Sequence, residues 1–148
     1  MPEASDSPLP PPRWRRWWIP DALADDVERR MAPAMQLLLL FYGLALPGNW
    51  LWQLAERPLP RGWGLVLAMD LLTALVALTG VVRIRRGQLR HAVRLFVAAL
   101  LGASLVTWHK LGAHAVLIDQ TALLLLLVVS GLVLGRRALW ATYAGIVL

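Results

Sequence analysis

Apolar residues fall along this chain in long, nearly uninterrupted runs separated by short basic connections, a pattern of membrane spans rather than of amphipathic helices around one water-facing core. The runs predict an all-α polytopic transmembrane helix bundle with four full spans and a truncated fifth, preceded by an amphipathic interfacial helix. Segment one covers about 34–54, segment two 63–82, segment three 90–109, segment four 114–135 and the incomplete fifth 138–148. Segment one, at roughly 21 residues, is long enough for a hydrocarbon layer of about 30 Å. Pro47-Gly48 in its second half predicts a kink and a carbonyl near Gly43 without its usual donor. Segment three is the weakest, because its uncharged stretch is only Leu95 to Trp108. Arg90 and Arg94 would have to snorkel to complete it. Segment five rises only about 16 Å. Either the chain is expected to continue beyond it, or the segment lies in the interface instead of crossing.

Ahead of these runs the pattern differs. Residues 1–12 are rich in Pro and Ser and read as a disordered tail. Over 13–33 the chain turns to Trp14, Arg15, Arg16, Trp17 and Trp18, whose indoles favour the head-group layer and whose guanidiniums favour lipid phosphates. Leu23, Val27 and Met31 then recur at i, i+4, i+8 before Pro33, giving one short amphipathic helix on the membrane surface. No continuous apolar run precedes residue 34, so no cleavable signal peptide is expected.

Composition and charge turn this pattern into an orientation. The chain is 58% hydrophobic with a mean hydropathy of +0.57, too apolar for a soluble domain of its 148 residues. Its basic residues alternate between heavy and light loads: five before segment one, two after it, five after segment two, one after segment three and two after segment four. Short Lys/Arg-rich connections stay cytoplasmic, which places the N-terminus inside. Trp14, Trp17, Trp18 and Trp140 then fall at inner edges and Trp50, Trp52, Trp63 and Trp108 at outer ones, as aromatic belts require. The net charge of +6 points to anionic lipid head groups as partners rather than nucleic acid, since the arginines sit at the ends of apolar runs. Cysteine is absent, which excludes disulfides, thiolate metal sites and cysteine catalysis.

Candidate chemistry lies in the outer half. Asp70, about 10 Å below the outer surface by helical rise, and Asp119 are carboxylates inside apolar segments. Asn49, Gln53, His109, His114 and Gln120 stand on the same side, with Thr107 and Lys110, and could converge on one polar pocket open to the outside. Three roles compete for the two aspartates: interhelical hydrogen bonds that hold the bundle, a ligand or proton-sensing pocket, and an ion or substrate pathway. His91, His109 and His114 lack the spacing and companions of a metal site, and no metal or cofactor is expected. His109 and His114 suit pH-responsive interface residues better. No phosphate loop, nucleophile elbow or catalytic triad order occurs, so nothing supports catalysis by these residues.

The basic tail leading into segment one, the hairpin spacing of segments two to four and the stretch Gly-Leu-Val-Leu-Gly-Arg-Arg-Ala-Leu-Trp at 131–140 together resemble the N-terminal multi-pass membrane regions of bacterial sensor histidine kinases and related diguanylate cyclases. The resemblance covers roughly residues 30–148. It implies a sensory or anchoring input region in the bacterial inner membrane, dimeric as such kinases usually are, whose phospho-accepting histidine lies beyond Leu148. None of His91, His109 and His114 has that histidine's sequence context. A small multi-pass transporter-like protein, with Asp70 and Asp119 lining a pathway, is the alternative.

Overall fold

The computed structural model describes Leu23, residues 25–58, 62–112 and 120–147. The regular structure among them is helical: α1 (Asp26–Glu56), α2 (Gly64–Arg85), α3 (Leu89–Leu111), α4 (Gln120–Val129) continued by a π-helical turn (Ser130–Leu134), and α5 (Arg136–Val147). The first three are long and apolar enough to cross a membrane. That is three such helices against the four full spans expected. Segment four is described only from Gln120, and its apolar part covers Leu123–Leu134. The interfacial residues Trp14, Arg15, Arg16, Trp17 and Trp18 lie outside the described residues.

Helix α1 corrects the expected entry into the bundle. Its first turn is set by Asp25, whose carboxylate accepts from the Val27 backbone N–H at 3.0 Å, with Asp26 and Glu28 placed favourably at the N-terminal end. From there it runs for 31 residues through both Pro33 and Pro47. The surface helix expected to stop before Pro33 is therefore continuous with the first span. Each proline removes one intrahelical donor, opposite the carbonyls of Arg29 and Gly43. Neither loss ends the helix, because packing on both sides holds it: Ala32, Leu39 and Gly43 are all buried.

Helices α2 and α3 form a tight antiparallel hairpin. The Gly87 N–H donates to Ile84 O at 2.9 Å and the Gln88 N–H to Arg83 O at 3.0 Å, a Schellman ending that needs the positive φ of Gly87, +80°. Small residues let α1 lie close to this hairpin. Leu78 packs directly onto Gly43, and Leu39 onto Gly80. Segment three, whose uncharged stretch from Leu95 to Trp108 is short of a full span, lies in a continuous 23-residue helix. Arg90 has partners within the protein: its Nε donates to Glu28 at 2.7 Å, and its Nη2 lies 3.8 Å from Asp25. The acidic first turn of α1 supplies a partner that the hydropathy of segment three could not reveal.

At the far end of the chain, Gly135 (φ +87°) turns α5 back along the preceding helix, so that Leu139 packs on Gly131. Gly145 then lies against Leu101 in the middle of α3. This helix therefore runs back beside α3 rather than away from it.

The main buried cluster is lopsided. It contains Leu23, Ala32 and Leu39 of the α1 side, Ala77, Val81 and Ile84 of α2, and Leu89, Ala92, Val93, Phe96, Val97 and Leu100 of α3, with Leu126 and Val129 closing it from α4. All of these lie from the arginine-bearing end of the three long helices to their midpoints.

Candidate functional site

The opposite end is built differently. Helix α1 finishes at Glu56 and α2 starts at Gly64, so residues equally far from that connection stand at equal depth. Trp50 is six residues before the end of α1, and Asp70 is six residues after the start of α2, about 9 Å along either axis. The Trp50 indole Nε1–H donates to Asp70 Oδ2 at 2.8 Å. Trp50 is buried, only 4% exposed, and Asp70 is half-buried. The same indole meets Trp63 edge-on, with ring centres 6.2 Å apart and planes at 73°, a favourable quadrupole arrangement. One level deeper, the Thr73 hydroxyl serves Met69 O at 2.9 Å and Ala99 O of α3 at 3.4 Å, so that α2 is joined by hydrogen bonds to both neighbours.

Beside this junction lies a cavity of about 380 Å³ bounded by Trp50, Trp52, Gln53, Leu54, Glu56, Arg57, Pro58 and Trp63. Indole rings supply its apolar walls, and an amide, a carboxylate and a guanidinium stand at its rim. Such a lining can hold a small amphipathic molecule, with the rings taking the apolar part and the rim groups fixing the polar one. Among the described residues no group of three or more His, Asp or Glu side chains is arranged to hold a metal ion.

The candidate residues read from the sequence are placed unequally. Asp70 joins the junction and Gln53 lines the cavity beside it. Asn49 is exposed and not part of the lining; His109 and Lys110 are exposed at the end of α3. The Thr107 hydroxyl is taken by Ala103 O on its own helix, at 2.9 Å. Asp119 and His114 lie outside the described residues, as does the side chain of Gln120. Trp50 and Trp63 are the residues that sequence reasoning missed, because a lipid-belt role already accounted for them. The signal that could have found them was depth: Trp50 is the hydrogen-bond donor of α1 that stands level with Asp70.

A second unexpected polar group lies in the packed half. Gln36 is buried, 1% exposed, and its Nε2 has no hydrogen-bond partner among the described residues. No family model, curated protein or solved structure matches this chain.

Proposed function

We propose that this chain is a membrane-embedded sensory input module of a bacterial signal-transduction protein, of the kind that precedes a sensor histidine kinase. In this reading it lies in the inner membrane with the N-terminus and the arginine end in the cytoplasm, α4 completes a fourth crossing and α5 begins a fifth. The observation that supports the reading most is the Trp50–Asp70 hydrogen bond beside the indole-walled cavity. A ligand seated there competes for or compresses the Trp50–Asp70 side-chain bond that fastens α1 to α2 at that end. Helix α1 is a single rod of 31 residues, about 46 Å long. Its other end is fastened to α3 through Glu28 and Arg90. A change in how α1 leans at the cavity is therefore delivered at the arginine end. A signal results if two packings exist and the ligand binds them unequally.

The absence of native cysteine makes the test direct. Spin labels on Gln88→Cys and Arg137→Cys, both exposed, report the arginine end by pulsed electron resonance in bilayers. Trp50→Phe, which removes the donor, is expected to shift that distance distribution while leaving helix content and insertion unchanged. An identical distribution with and without the substitution sinks the coupling. Orientation is checked separately: an impermeant thiol reagent should reach Glu56→Cys and Lys110→Cys from outside the cell and fail to reach Gln88→Cys. The transporter-like alternative is favoured only by the half-buried carboxylate of Asp70, and it requires solute flux in reconstituted vesicles that Asp70→Asn abolishes.

A further inference from the structure

The α4–α5 hairpin carries a feature that the sensory reading does not use. Arg136, Trp140 and Tyr143 follow each other at i, i+4, i+7 and so form one stripe along α5. All three are exposed, Trp140 at 59% and Tyr143 at 47%. Trp140 and Tyr143 pack edge to face, with ring centres 5.9 Å apart and planes at 89°, which holds the two rings as a fixed wall. Against this wall, Leu127 of α4 and Leu139 close an apolar groove of about 280 Å³. Its lining is hydrocarbon and aromatic ring, apart from the indole N–H and the phenol.

Charge at the mouth of the groove is unbalanced. Arg136 and Arg137 are exposed, and residues 120–147 contain no Asp or Glu. Arg90, at the same end of the bundle, has Glu28 and Asp25; among the described residues Arg136 and Arg137 have no such ion pair. The spacing also matches a bilayer. From Arg136 to Tyr143 the helix rises about 10 Å, while the head-group layer is about 6 Å thick on each side of the hydrocarbon. With the arginines level with the phosphates, Trp140 occupies the interface and Tyr143 reaches the first acyl carbons.

We propose that this hairpin binds a glycerophospholipid with an anionic head group, drawn from the surrounding bilayer, with its phosphate on Arg136 and Arg137 and an acyl chain in the groove between Leu127 and Tyr143. Two arginines contribute about fivefold each to the attraction of an anionic lipid, so the preference over a zwitterionic one is about 25-fold.

The experiment uses the full chain in nanodiscs and reads Trp140 fluorescence, taken as the difference between the unmodified chain and Trp140→Phe. Quenching is titrated with phosphatidylglycerol brominated on its acyl chains and, separately, with equally brominated phosphatidylcholine. The expected result is quenching of Trp140 at a much lower fraction of the anionic lipid. Arg136→Gln/Arg137→Gln should make the two lipids equivalent, and Leu127→Phe, which fills the groove and keeps both charges, should weaken quenching by both. Should the double variant lose helix content, the Leu127→Phe arm and the lipid comparison on the unmodified chain decide the matter. Equal quenching by the two lipids in the unmodified chain overturns the proposal, as does a preference that survives loss of both arginines.

Discussion

The two halves of the three-helix unit are held by different forces. From the arginine end to the middle, Phe96, Ile84, Leu89 and Leu39 are all 2% exposed or less and form one continuous cluster. In the other half, among the described residues, only a few apolar side chains, Trp50, Val66 and Ala103 among them, are buried to a comparable degree. Contact between α1 and α2 there rests on an indole, a carboxylate and the edge of Trp63. Dispersion between many close-packed atoms gives one half a single well-defined arrangement. A junction of a few polar contacts beside a cavity has far less holding it, and low local stability is what a segment that moves with ligand requires. The contrast places the fixed point of the bundle near Phe96 and its adjustable point near Trp50.

Truncation should expose the contrast most strongly. Phe96→Ala removes a ring that packs edge-on to Tyr42, centres 5.3 Å apart, and opens a void in the cluster. A bundle in lipid gains little from hiding apolar surface, so the loss is chiefly of packing contacts. A cost of about 3 to 5 kcal/mol is expected. Trp50→Phe keeps most of the ring and loses one interhelical hydrogen bond, with an expected cost of about 1 kcal/mol. Unfolding of both variants by steric trapping in bilayers measures the pair. Equal costs would mean that the two halves do not differ in the way the packing implies.

Gln36 tests the packed half from the opposite direction. Its buried Nε2 carries a desolvation penalty with no bond among the described residues to offset it. Leucine has nearly the same volume and no polar atom, so Gln36→Leu should stabilise the bundle by about 1 kcal/mol in the same assay. A destabilised variant would show that the amide has a partner or a duty in the membrane-embedded protein, and the packed half would no longer be the purely structural one.

How much of this was legible beforehand depended on whether one residue or two decided a feature. Helix positions followed from apolar runs, and segments two and three agree with α2 and α3 to within a few residues. The entry of α1 was misread because Pro33 is locally a stop, whereas burial of Ala32 and Leu39 against the neighbouring helices outweighs one missing hydrogen bond. Asp70 was legible as a carboxylate at membrane depth. Its partner was not, because which face of α1 carries Trp50 is set by how the helix is rotated against α2, and close approach at Gly43 fixes that rotation. Likewise the partners of Arg90 were not legible from segment three itself, since the acids that receive it lie some sixty residues earlier in the chain.

That long-range pair gives the smallest effect and the finest test of the comparison. The Arg90 side chain is 59% exposed and Glu28 20% exposed, so water and salt screen their attraction, and pairs of this kind contribute about 0 to 1 kcal/mol. Arg90→Gln should therefore change unfolding by no more than about 0.5 kcal/mol, and the change should shrink as salt is raised. Its effect on geometry is expected to be larger than its effect on stability. With the cluster around Phe96 intact, α1 keeps its place in the bundle, yet its first turns, ahead of Pro33, lose the contact that fixes their direction. The Gln88–Arg137 label pair would then be unmoved, whereas a label on Arg30→Cys, exposed on those first turns, should show a broadened distance to Gln88→Cys. If both label pairs broaden together, the arginine end depends on the ion pair and not on the cluster behind it, and the assignment of a fixed and an adjustable half is reversed.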